Sequence, residues 1–287
     1  MGRFAYVNGR FTRHADAMVH VEDRGYQFAD AIYEVWSVAD GRLMDCEGHF
    51  ARLERSLSEL AIPMPMSRGA LFTVLKEALR RNHVRDGLIY LQVSRGVAPR
   101  DHAIPSPTLT PSVVITAKSL NPAKVAAKGE AGGAVITVPE NRWGRSDIKT
   151  VGLLPNALAK TAAKAAGAVE AWFVDKEGLV TEGASTNAWI VDQAGVLRTR
   201  DIGANILRGI TRAHVLRLAE ELQLRVEEGP FSVADAKAAK EAFITAASAY
   251  VTPITAIDGA PVGDGRPGAV TLRLRSLYVQ QAEAEAV

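Results

Sequence analysis

The sequence predicts an α+β protein in two domains, and three observations predict it. Strand-like and helix-like segments come in runs, without the strict strand–helix–strand alternation of a parallel doubly wound sheet. The 287 residues, 47% of them hydrophobic, suffice for two cores. The periodicity lapses between Lys118 and Lys128, around Asn121-Pro122, as it would in an interdomain linker. The expected division is a small N-terminal α/β domain over residues 1–120, a linker over 121–128 and a larger C-terminal domain over 129–287.

Each element has a local cause. Asn8-Gly9, the strongest short turn signal, makes Phe4 to Thr12 a hairpin. Ile32, Val35, Trp36 and Val38 mark a strand over Ala31 to Val38, which Asp40-Gly41 turns into a second over Arg42 to Asp45. Phe50, Leu53, Leu57 and Leu60 recur at helical spacing, so Glu47 to Ala61 is an amphipathic helix that stops before Pro63. Ser67 caps a second helix, running to about Asn82. Leu88 to Ser94 and Ser112 to Ala117 read as strands.

Beyond the linker, alternation resumes over Ala134 to Val138. Leu154 to Ala166 is a helix with Pro155 in its first turn and Gly167 as its stop. Strands over Ala171 to Asp175 and Ala188 to Asp192 flank a turn that holds Glu182. Ile206 to Gln223 is a helix with Ile210, Val215, Leu218 and Leu222 inward. Glu241 to Ala246 and Pro253 to Ile257 are strands around a loop of small residues, and residues 267–283 form a terminal helix.

Composition narrows the function classes. The net charge of +2 gives no electrostatic footprint for nucleic acid. No stretch approaches the roughly 20 apolar residues of a membrane span, and the polar N-terminus lacks a signal-peptide core. The single cysteine, Cys46, permits no internal disulfide. The six histidines show no metal-ligand spacing, so no metal is expected. A cytoplasmic protein is the expectation.

Two residues carry the chemistry. Lys149 ends a short apolar-bounded strand in Arg142-Trp143-Gly144-Arg145-Ser146-Asp147-Ile148-Lys149-Thr150. Glu182 follows thirty-three residues later, in Thr181-Glu182-Gly183-Ala184-Ser185-Thr186-Asn187. A lysine amine can bond the aldehyde of pyridoxal 5′-phosphate, and a carboxylate can keep that cofactor's pyridine nitrogen protonated. Taken singly, the lysine is an ordinary surface residue and Thr-Glu-Gly an ordinary turn.

Other stretches suit the same cofactor. Leu207-Arg208-Gly209-Ile210-Thr211 opens a helix whose free N–H groups would suit a phosphate, though it is equally a plain helix start. Arg52 lies beside an apolar stripe, to bind an anion or simply to extend its head to water. Arg95-Gly96-Val97-Ala98-Pro99-Arg100-Asp101-His102 puts an arginine and a histidine on a loop, able to grip a carboxylate or to stand solvated. Tyr33 has a phenol for the cofactor oxygen, or for packing at a domain seam.

Together these motifs, with Glu22-Asp23-Arg24-Gly25-Tyr26-Gln27-Phe28, Tyr33-Glu34-Val35 and His49-Phe50-Ala51-Arg52-Leu53, resemble the fold-type IV pyridoxal phosphate aminotransferases over nearly the whole chain. Within that family the sequence is most similar to the D-amino acid aminotransferases. The resemblance implies a C-terminal cofactor-binding domain with a barrel-like β core, and the cofactor in the cleft between the domains. It implies transamination between a D-amino acid and a 2-oxo acid, ping-pong through pyridoxamine phosphate, in a homodimer. It implies that Lys149 carries the cofactor and Glu182 faces its pyridine nitrogen. Arg52, the N–H groups of Ile210 and Thr211, and the Thr211 hydroxyl would hold the phosphate; Leu207 would pack on the ring, and Ser185 would join the nearby hydrogen bonds.

Arg100 and His102 would form a carboxylate trap contributed by the partner subunit, with Tyr33 also on the substrate. In the second phosphate loop, Thr245-Ala246-Ala247-Ser248, alanines stand where the family has hydroxyls. Ala247 would bind phosphate through its N–H alone, and cofactor retention is expected to be weaker. Ser248 would border the substrate, as would Tyr250, at a position that varies within the family. Three relatives on the same scaffold remain open: branched-chain L-amino acid aminotransferases, (R)-selective amine transaminases and aminodeoxychorismate lyases.

Overall fold

The computed structural model describes residues 3–203, 205–284 and 286–287. The chain divides into two compact units, one of Met1–Pro122, Ile148–Gly152 and Glu285–Val287, the other of Ala123–Asp147 and Leu153–Ala284.

The first unit begins with the Asn8-Gly9 hairpin, β1 (Phe4–Val7) and β2 (Arg10–Arg13). Asp23 caps the short helix α1 (Arg24–Phe28) by accepting from the Gly25 N–H. Then come β3 (Ala31–Ala39), β4 (Arg42–Leu43), α2 (Cys46–Glu59), α3 (Arg68–Arg81), β5 (Gly87–Ser94) and β6 (Ser112–Ser119). Ser67 accepts from the Ala70 N–H at the start of α3, as its sequence predicts. The strands pair antiparallel in the order β2-β1-β6-β5-β3-β4.

Side chains alternate across a strand, so one face of this sheet supplies Ile32, Trp36, Ile89, Leu91 and Ile115 to a core with Phe50, Leu53, Leu57, Leu71 and Leu75 of α2 and α3. The other face carries Tyr33, Tyr90 and Gln92. The strand expected to end at Lys149 is not formed; the Ile148–Gly152 segment joins the sheet beside β3 through one bridge, Ile32 with Thr150, while Tyr33 N–H donates to Lys149 O at 3.0 Å and Val151 N–H donates to Ala31 O at 3.1 Å. Ile148 is buried in the core, which anchors the lysine that follows it.

The second unit starts with α4 (Pro122–Ala131), a helix where a linker is expected. Nearly all of α4 is exposed and only Gly129 is buried, so it writes no apolar stripe into the sequence. Next are β7 (Gly133–Pro139), α5 (Leu154–Ala165), β8 (Glu170–Val174), β9 (Val180–Gly183), β10 (Asn187–Val191), β11 (Leu197–Thr199) and α6 (Ile210–Glu221). The remainder is β12 (Val226–Glu228), α7 (Val233–Lys237), β13 (Glu241–Ala246), β14 (Tyr250–Ile257), β15 (Ala260–Pro261) and α8 (Ala269–Ala284).

These strands form a curled half-barrel sheet in the order β12-β11-β10-β13-β14-β7-β8-β9, with β15 on β14. Parallel pairs at β14–β7, β7–β8 and β11–β12 mix with antiparallel ones, giving the α+β class expected. Its cores gather Trp172, Ile190, Phe231 and Ile244 in one cluster, and Phe173 with Ala159 and Ala163 of α5 in another. Among the described residues no helix is long and apolar enough to cross a membrane, and no group of His, Cys, Asp and Glu could hold a metal ion.

Candidate active site

In the first unit, Lys149 is half-buried, and its Nζ lies 4.2 Å from the centroid of the Tyr33 ring. Tyr33 stacks on Tyr90 at 5.7 Å, and the Tyr90 hydroxyl donates to Gln92 Oε1 at 2.8 Å. Burial, with Tyr33 adding to it, pushes the Tyr90 phenol up to about 12, so it stays neutral. The lysine is thereby presented on an aromatic floor.

Arg52 belongs to a different cluster. Strand alternation points Glu34 to the opposite face from Tyr33, into the helix-covered core. There Arg52 Nε donates to Glu34 Oε1 at 2.7 Å and Nη2 to Oε2 at 2.8 Å, while His49 Nδ1 stands 2.8 Å from Oε2. Burial alone would raise Glu34, but Arg52 and then His49 outweigh it and hold the carboxyl far below the usual range. Burial lowers His49 despite Glu34 beside it, so we assign a neutral ring whose Nδ1–H donates to Glu34.

Arg100 and His102 come together on Phe28, the arginine 5.1 Å over the ring and the imidazole tilted against it at 5.4 Å. Both are exposed on the loop after β5.

In the second unit, Glu182 lies on a strand, not in a turn, and is buried. Arg142 Nη1 donates to Glu182 Oε1; Oε2 accepts from Asn187 Nδ2 at 3.0 Å and from the Leu207 N–H at 3.1 Å. Arg142 also reaches Glu140, Thr181 and the Asn205 carbonyl. Burial disfavours its charge, yet Glu140 and Glu182 prevail and raise its pKa further. Arg142 and Asn187 have no role that the sequence predicts. Both stand inside the two motifs, but neither type at that spacing announces a carboxylate clamp.

Leu207 and Glu182 are thus joined directly. The helix expected from Ile206 begins instead at Ile210, with Gly209 as N-cap and no side-chain cap, so the N–H groups of Ile210 and Thr211 are not claimed by a capping side chain. The Thr211 hydroxyl is 3.3 Å from that of Tyr278. Ser185 donates to the buried Glu170 at 2.8 Å. Ala247 and Ser248 occupy the turn between β13 and β14, with Ser248 exposed, and Thr245 beside them accepts from Trp189 Nε1 at 3.0 Å.

Comparison with known proteins places this geometry. Residues 31–257 match the model of the family Amino-transferase class IV. The chain is 41% identical over 269 residues to a D-alanine aminotransferase of Bacillus licheniformis, covering 94% of this chain and 93% of that one. It is 37% identical over 282 residues to a D-alanine aminotransferase of Staphylococcus epidermidis, covering 98% and 99%. Among solved structures it is similar to the branched-chain amino acid aminotransferase of Escherichia coli, with a TM-score of 0.90 at 26% identity, covering 100% of this chain and 97% of that one. It is also similar to the branched-chain aminotransferase of the thermophilic archaeon Thermoproteus uzoniensis with norvaline, with a TM-score of 0.85 at 25% identity, covering 99% and 96%.

The chain belongs to the class IV aminotransferase family. It is a pyridoxal 5′-phosphate-dependent enzyme, and the residues present fit that group: a half-buried primary amine, a buried carboxylate fixed by three donors, and a helix N-terminus without a side-chain cap.

Proposed function

We propose that this enzyme transfers the amino group of a D-amino acid, such as D-alanine, to a 2-oxo acid such as 2-oxoglutarate, by ping-pong kinetics. The 36–41% identity to D-alanine aminotransferases along nearly the whole chain carries this reading. The paired Arg100 and His102 supply a chemical reason, since a guanidinium beside an imidazole suits an α-carboxylate. Bound pyridoxal phosphate supplies the electron sink that makes the substrate's α-proton acidic.

The chain's residues do the rest. Lys149 Nζ would hold the cofactor and, with substrate bound, would serve as the base that takes the α-proton. Glu182, kept in place by Arg142, Asn187 and Leu207, would hold a proton on the pyridine nitrogen. Arg52, set by Glu34, would serve the phosphate, as would the N–H groups of Ile210, Thr211 and Ala247 and the Thr211 hydroxyl. Leu207 would pack on the ring, Ser185 and its Glu170 partner would complete the nearby hydrogen bonds, and Tyr33 would support the amine. Arg100 and His102 orient the carboxylate, with Ser248 at the substrate's edge, and so select the hand of the amino acid.

We further propose a cytoplasmic homodimer in which the partner lends Arg100 and His102. The similarity to branched-chain aminotransferase structures supports a second reading, transamination of branched-chain L-amino acids.

The visible spectrum of the reconstituted protein separates them. D-Alanine bleaches the lysine-bound cofactor band and L-leucine in a parallel cuvette does not; Lys149→Ala never acquires the band. Bleaching by L-leucine alone would install the branched-chain reading. An intact band that resists both would favour the amine transaminase or the lyase.

A further inference from the structure

We propose that Arg24, with Phe28, is a positioning residue for substrate selection: it clamps the loop that carries Arg100 and His102. The inference rests on the proposed role of that pair.

Arg24 is 3% exposed. A buried guanidinium needs both a counter-charge and acceptors for its other N–H groups. Its Nε donates to Asp30 Oδ2 at 2.8 Å, and Arg95 Nε donates to the same oxygen at 2.7 Å. Arg95 in turn donates to the Leu60 and Ala61 carbonyls beyond the end of α2. Asp30 is thus fixed to the unit's own framework, and it fixes Arg24.

The remaining Arg24 donors all go to the loop. Nη1 donates to the Asp101 carbonyl at 2.7 Å and to the Ala103 carbonyl at 3.3 Å, and Nη2 to the His102 carbonyl at 3.5 Å. Among the described residues, every hydrogen bond tying Asp101 to Ala103 to the rest of the chain comes from Arg24. Upstream, the Arg24 N–H donates to Gly96 O, and Asp23 bridges Val97. Arg100 therefore lies between two points, both held by α1 and its cap.

The ring of Phe28 completes the clamp. Its centroid lies 4.7 Å from the Arg24 guanidinium and 5.1 Å from that of Arg100, with His102 against the ring. α1 must lie close for this. A Cβ on Gly25 would come within 2.8 Å of Ser94 Cβ and 2.9 Å of Asp23 Oδ1. Glycine at 25 therefore seats Arg24 and Phe28 under the loop.

A device of this kind acts only on substrates that use the loop. The test is single-turnover bleaching of the holoenzyme by D-alanine and by the carboxylate-free (R)-1-phenylethylamine, in wild type, Arg24→Lys, Phe28→Leu and Arg100→Ala. Lysine keeps a charge for Asp30 but has no fork to span three carbonyls. Arg24→Lys should raise the half-saturating D-alanine concentration about tenfold at a nearly unchanged limiting rate, with the amine unaffected. Phe28→Leu, which keeps an apolar filler, should do the same more weakly and stands in if Arg24→Lys does not fold. Amide exchange over 100–104 should accelerate in both variants while that of β3 and β5 does not.

Equal losses on both substrates, or a fall in limiting rate alone, would make Arg24 merely structural and overturn the proposal. An Arg100→Ala enzyme with wild-type D-alanine dependence would instead remove the carboxylate reading, and this inference with it. Arg100→Ala impaired while both clamp variants remain normal would refute the clamp alone.

Discussion

At the scale of single residues, the buried Glu34–Arg52–His49 group has the clearest consequence. Glu34 is fully buried and sits below its ordinary value of 4.5, because Arg52 and His49 overcome the burial penalty; His49 sits below 6.5 because burial disfavours its charge. In both cases the unfolded chain takes up a proton at higher pH than the folded one, so acid feeds the unfolded state. The His49 contribution should fade as pH falls through about 6.5, and the Glu34 contribution below about 4.5, both present in full at neutral pH. Urea unfolding across pH 4 to 8 should show stability falling with acid. Glu34→Gln leaves the Arg52 charge buried without its carboxylate, at a cost of about 3–5 kcal/mol. It should also flatten the loss below pH 4.5. A Glu34→Gln protein as stable as wild type at pH 7 would remove this account.

At the scale of elements, the start of α6 links backbone to chemistry. A Cβ on Gly209 would fall 2.0 Å from Asn187 Oδ1, and Asn187 is the residue that bridges Glu182 to the Leu207 carbonyl. Gly209→Ala should therefore push Asn187 off Glu182 and weaken pyridoxal phosphate binding about tenfold, read by absorbance titration of the apoprotein. Unchanged affinity would mean that Asn187 does not set the carboxylate.

The same elements show what is legible in sequence. β3, β5, α2 and α3 are readable because their periodicities face one core, and the Asn8-Gly9 hairpin because its turn is local. β9 is not: its four residues are all buried, so no alternation appears, and Thr-Glu-Gly becomes strand only through pairing with β8. α4 hides for the opposite reason, since it exposes nearly everything; a Cβ on its Gly129 would stand 2.1 Å from the Arg275 guanidinium, which would have to shift. Lys149 and Glu182 can be singled out by chemistry, but Arg142, which holds Glu182, is defined by a partner forty residues away in sequence.

At the scale of the whole molecule, several large apolar side chains remain outside any core. Met18 is 80% exposed, Val21 73%, Tyr26 75% and Ile104 62%. They sit on two segments, 17–26 and 97–104, that are pinned together by the Asp23–Val97 bridge and by Arg24. Exposed apolar side chains beside the loop proposed to bind substrate fit the proposed homodimer, in which a second copy would cover them and receive Arg100 and His102 at its site. Sedimentation velocity should therefore give twice 30.8 kDa for the wild type. Ile104→Asp would force a carboxylate into that contact and should weaken dimerisation about a hundredfold, roughly 3 kcal/mol. Diluting this variant should then cost D-alanine turnover while the lysine-bound cofactor band persists, because the partner's arginine and histidine leave first. A wild type that sediments as a monomer with full D-alanine activity would place the whole carboxylate site within one chain.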